Sequence, residues 1–132
     1  MFKLPSDSSK QRPPTEAETE SFIFGAGIPA TWSWWHRRVQ NFRYDDDGCA
    51  PEGWNWVVTS RHPDGGAVGT AKVVRHADIL AAAEVIVGDD KFRPSLRTEC
   101  WNLLFDPDDC DIDAGAADAI LQVVIYGEVL FG

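Results

Sequence analysis

Asp106–Gly132 reads DPDDCDIDAGAADAILQVVIYGEVLFG, and its apolar spacing decides what the rest of the chain has to cover. Asp113 is suited to capping a helix, because a short carboxylate there accepts from a first-turn N–H that has no carbonyl of its own. Beyond it, Ala117, Ile120, Leu121, Val124 and Ile125 recur at i, i+3, i+4, i+7 and i+8, which is one apolar stripe on one helix. Gly127 stands where a helix of about three turns needs a left-handed C-terminal residue. The residues after it, Val129, Leu130 and Phe131, form an apolar tail that is expected to dock and not to hang free.

Working outward, the preceding segments supply the surface that this helix must pack on. Pro94 suits the first position of a helix with Leu96, Cys100, Leu103 and Leu104 inward, ended by Asp106-Pro107. Ala77 to Val87 reads as another helix, with Ile79, Ala83, Ile86 and Val87 inward and Gly88 as its stop. Ahead of it lies a hairpin signal: Trp54 to Arg61 alternates Trp54, Trp56 and Val58 with Asn55, Val57 and Thr59, His62-Pro63-Asp64-Gly65-Gly66 turns, and Val68 to Arg75 returns. Thr31 to Asp47 is ambiguous. Its aromatic richness and the Phe42/Tyr44 alternation favour a strand, while Trp35, Val39 and Phe42 also fit a helix; a strand is the reading adopted. Thr15 opens a capping box with Glu18, so a short helix is expected over 15–24, ended by Gly25, Gly27 and Pro29 and packed at its C-terminal end only. Residues 1–14 read as a mobile lead-in, and 15–132 as one domain.

Strands and helices are segregated along the chain, not alternating, so the fold class is α+β: about three antiparallel strands packed against a layer of three to four helices. At 132 residues, 44% hydrophobic and 25% charged, the chain suits a single core. A mean hydropathy of -0.24 agrees. No apolar run approaches the ~18 residues of a membrane span, and the N-terminus lacks a signal-peptide core, so no membrane association and a cytoplasmic location are expected. Three cysteines at irregular spacing suit a reducing compartment.

The net charge of -9 is unevenly placed. From Glu99 onward there are eight acids and no Lys or Arg, a charge of -8, which leaves 13 acids against 12 bases, or -1, for residues 1–98. The acidic end disfavours direct nucleic-acid binding and attracts basic protein surfaces. Part of it also serves as favourable charge ahead of the last helix.

The same C-terminal stretch carries a resemblance. A run of Asp residues, then Asp118 to Gln122 (DAILQ), then the aromatic-Gly-Glu-Val-aliphatic-aromatic-Gly ending of Tyr126 to Gly132, resembles small proteins encoded by actinobacterial phages and prophages. The match covers about a fifth of the chain, with weaker echoes in Gly25 to Trp35, where this chain has Gly25-Ala26-Gly27 and a longer spacer before its tryptophans. The resemblance implies a phage-related origin; it implies no activity and brings no catalytic residues.

Candidate chemistry is sparse. Asp109 to Gly115 has the alternating acids of a calcium loop but places Ala114 where glycine is needed and Ile120 where a bidentate Glu should close the site. Cys49, Cys100, Cys110, His36, His62 and His76 include no pair at zinc-ligand spacing. Gly25-Ala26-Gly27 lacks the third glycine and the preceding strand of a dinucleotide fingerprint. Asp45-Asp46-Asp47 with His36 is a possible acid/base group only if the fold unites them. No cofactor or metal is called for and no enzyme is expected. Two features remain. One is the acidic set Asp106, Asp108, Asp109, Asp111 and Asp113, read as a protein-binding surface. The other is the aromatic and basic set Trp32, Trp34, Trp35, Arg37, Arg38 and Arg43, which supplies interface anchors, a pocket for a nucleotide, or core. The expectation is a non-enzymatic phage accessory protein that binds a host protein and inhibits it, with a small-molecule binder or a self-assembling protein as alternatives, and a homodimer is possible.

Overall fold

Three antiparallel strands lie side by side in the order β1 (Trp35–Gln40), β2 (Trp56–Arg61), β3 (Val68–Val74). The computed structural model describes residues 11–26, 34–61 and 68–130, with the side chains of residues 36 and 68–70 excepted. In β2 burial alternates strictly, Trp56, Val58 and Ser60 inward and Val57, Thr59 and Arg61 half-buried, which is the period of a sheet with one covered face. Register carries that division across the strands. Arg38, Val58 and Lys72 form one row across the sheet, whereas Val39, Val57 and Val73 form one row on the other face. Of the aromatic segment only Trp35–Gln40 is a strand, and Phe42 and Tyr44, whose alternation favoured that reading, lie in the loop after it, while residues 31–33 lie outside the described set. The β2–β3 hairpin forms; its turn, 62–66, lies outside the described residues.

Helices α1 (Glu16–Phe24), α2 (His76–Val87), α3 (Pro94–Phe105) and α4 (Ala114–Tyr126) complete an α+β fold, with a single 3-10 turn at Pro107–Asp109. Helix α2 packs on both α3 and α4, and α1 packs on α4. The capping residues act where the sequence places them. Thr15 Oγ1 accepts from Glu18 N while Glu18 Oε1 accepts from Thr15 N, Pro94 opens α3, and Asp113 Oδ1 accepts from Ala116 N. Gly127 ends α4 at φ +81°, in the left-handed region.

One core joins the two layers, with Trp34, Trp54, Val58 and Val74 from the sheet side and Ile79, Ile86, Leu103, Ile120 and Leu121 from the helices. Two expectations need correction. Helix α4 is not striped: every residue from Ala116 to Val124 is buried, including Asp118 and Gln122, because α1 and α2 pack on it while Trp34 meets Asp118 and the backbone of Leu130 meets Gln122. Helix α1 is held along its length, since Trp54 Nε1 donates to Glu16 O (2.6 Å) and Gly53 N donates to Glu16 Oε1 (2.8 Å).

The ends differ from the reading as well. Of the lead-in, residues 1–10 lie outside the described set, but Arg12 is anchored: its N–H bonds to Phe105 O and its guanidinium to Glu18 and Asp108. The tail Val129 and Leu130 is 40% and 37% exposed, so it is not docked through its side chains. Its backbone is held instead, Leu130 N donating to Gln122 Oε1 at 2.9 Å. Phe131 lies outside the described residues. Among those residues no helix is long and apolar enough to cross a membrane.

Candidate functional site

The acids read as one surface are divided by the fold. Asp106 ends α3 and is 2% exposed, so it is removed from any binding surface; the chain reverses there into the 3-10 turn, and Asp109 N donates to Asp106 O. Asp108 is exposed but engaged by Arg12 at 2.9 Å. Asp109, Asp111 and Asp113 are exposed, and none is paired with a cation among the described residues. Asp113 spends one oxygen on the α4 cap, which fixes its position without neutralising it.

Beneath them Glu99 of α3 stiffens the connection, accepting from Asp111 N (3.2 Å) and Asn102 Nδ2 (3.3 Å). Burial raises the Glu99 pKa, and Asp111 and Asp113 add to the rise, while the two donors oppose it. Glu99, Asp111 and Asp113 face Arg93 and Ser95 across a cleft of about 180 Å³ between the starts of α3 and α4. This is smaller than the roughly 300–1,000 Å³ of small-molecule sites. No group of acids, His and Cys among the described residues is arranged to hold a metal ion.

An aromatic lies at the border of this acidic connection that the sequence reading missed. Phe105, the last residue of α3, is 43% exposed and packs on Trp101 at 4.9 Å between ring centres. The signal was available: Trp101 and Phe105 are spaced i, i+4 and fall off the stripe of Leu96, Cys100 and Leu103, so they face elsewhere on the helix.

The aromatic and basic set is split by strand alternation and does not form one patch. Trp34 and Trp35 are 1% and 2% exposed and stack at 5.7 Å, so they are core, not surface anchors. Trp34 Nε1 donates to the buried carboxylate of Asp118, which also accepts from Gln122 Nε2 at 2.8 Å. Burial raises the Asp118 pKa, and those two donors hold the rise back. Arg37 and Arg43 are exposed, Arg38 turns to the covered face, and Trp32 lies outside the described residues. An open pocket lined by Trp34, Trp35, Arg37 and Arg38 is therefore not what the strand builds.

Nucleophile and acid/base readings gain little from the geometry. Cys100 and Cys110 are driven upward in pKa by burial and then by Glu99, Cys100 to about 12, which keeps both as thiols. Asp45 Oδ1 accepts from the N–H groups of Asp47 and Cys49 at 2.9 Å, the work of a turn residue, and the His36 side chain is not among those described. Comparison with protein-family models, with curated proteins and with solved structures finds no match for this chain.

Proposed function

We propose that this chain is a non-enzymatic binding protein that engages a basic surface of a partner protein through Asp109, Asp111 and Asp113, with Phe105, where α3 enters the same connection, as an apolar anchor. The observation that carries the reading is an ordered connection whose three exposed carboxylates, Asp109, Asp111 and Asp113, form no ion pair among the described residues, entered from α3 through the exposed Phe105. Apart from their edges, protein interfaces favour aromatic side chains, and carboxylates around such an anchor select a basic partner and speed its approach. The connection is already ordered by the Asp113 cap and by Glu99, so little conformational freedom is lost on binding. The phage resemblance makes a host protein the proposed partner and inhibition the proposed consequence.

The test is affinity capture from host lysate with the wild-type chain, an Asp109→Asn/Asp111→Asn/Asp113→Asn chain and a Phe105→Ala chain. Asparagine retains the α4 cap, so the triple change removes charge without removing the helix start. A stoichiometric protein held by the wild type and lost from both variants is the expected result. Equal capture by all three chains overturns the reading.

A further inference from the structure

Arg38 lies on the covered face of β1, an edge strand, with its guanidinium carbon 5.0 Å from the centre of the Trp35 ring and 5.1 Å from that of Trp56. Two indole faces thus clamp one cation. Yet Arg38 makes no hydrogen bond and no ion pair with any described residue, and its Nη1 is sealed from solvent. Trp35 Nε1 is likewise buried without a partner. The neighbouring carboxylate, Glu20, is already committed, its Oε2 accepting from Tyr44 Oη (2.7 Å) and Trp56 Nε1 (3.0 Å). Folded interiors rarely leave such donors unmatched.

We propose that Arg38, clamped between Trp35 and Trp56, is the receptor of an oxyanion-binding site at the β1 edge of the sheet, with the Trp35 indole N–H as its second donor. The clamp holds the planar fork in one orientation, which suits paired hydrogen bonds to a carboxylate or phosphate. Glu20 supplies counter-charge within electrostatic reach but no hydrogen bond, so the guanidinium fork is left for an incoming acceptor, and a charged oxyanion binds such a fork more strongly than a neutral carbonyl does. Stacking of a nucleobase is not the chemistry offered: the Trp35 and Trp56 faces are already occupied by Arg38, and Phe24 stacks on Trp56 at 4.8 Å. This site is separate from the acidic connection, and neither depends on the other.

The experiment follows the Trp35 indole N–H in ¹H–¹⁵N spectra of the full chain, assigned by its loss in Trp35→Phe. Sodium phosphate and sodium acetate are titrated in turn against sodium chloride at matched ionic strength. A saturable shift is expected that is abolished in Arg38→Met, weakened about tenfold or more in Arg38→Lys, and unchanged in Arg37→Met, whose arginine lies on the opposite face. Saturation by phosphate alone assigns a phosphate ligand, by acetate alone a carboxylate, and by both a general oxyanion site. No saturable shift beyond the chloride control, or the same shift in Arg38→Met, overturns the proposal. Should Arg38→Met lose the dispersed spectrum of a folded chain, Arg38→Lys decides, and wild-type affinity in that variant counts against the site.

Discussion

Asp118 is an acid placed where water barely reaches, yet its two oxygens accept from the Trp34 indole and the Gln122 amide, so removing its side chain orphans two buried donors. Asp118→Ala is expected to cost about 3 kcal/mol in chemical denaturation at acidic pH. The pH dependence has a definite sign. Because the folded pKa is raised, the neutral form is favoured by folding, and the contribution of Asp118 weakens as pH rises from the ordinary 3.8 through the raised value. The stability gap between wild type and Asp118→Ala therefore narrows on going from acid toward neutral pH; a gap that widens would show that the two hydrogen bonds outweigh burial. In the sequence Asp118 enters only the charge of the acidic end and the DAILQ resemblance, and no local pattern marks it as buried. Its partner Trp34 lies 84 positions away, just ahead of β1, and only the fold brings the two together.

At the scale of elements, local chemistry was largely readable and long-range ties were not. The Thr15/Glu18 capping box, Pro94, the Asp113 cap and the left-handed Gly127 each depend on residues within one turn, so the sequence displays them. Gly127→Ala is expected to lower stability by about 1 kcal/mol, since a Cβ meets its own backbone at that φ. Arg12 shows the other case. It joins the residue run before α1 to Glu18 and to Asp108, across 96 positions, and no periodic pattern predicts that contact. Hydrogen bonding from Arg12 holds the Glu18 pKa down to about 2, against the ordinary 4.5. Stability from this pair is present above the unfolded value and lost as pH falls from 4.5 toward 2. Glu18→Gln, which keeps the capping box, should flatten the acid limb of a stability-against-pH curve; an unchanged limb would show that the pair contributes nothing measurable.

Across the whole molecule, the fold class followed from segregation of strands and helices, whereas the candidate surface required the fold. A register shift between Trp35 and Arg37 lets Trp35 and Arg38 share the covered face while Arg37 points outward, so a basic-aromatic run that looks continuous in sequence is divided in space. Burial likewise removes Asp106 and Asp118 from the acidic count, and Arg12 offsets Asp108. What remains exposed and outside any ion pair among the described residues is the group Asp109, Asp111 and Asp113. Its charges are screened within about 10 Å at ordinary salt, so binding through them carries a salt dependence that an apolar interface lacks. The most direct measurement is the affinity of the purified captured partner for the wild type and for the Asp109→Asn/Asp111→Asn/Asp113→Asn chain, at low and at high salt. Wild-type affinity should fall about tenfold or more with salt, and the triple variant should bind weakly and almost independently of salt. Equal affinities with the same salt dependence would contradict the acidic connection as the binding surface.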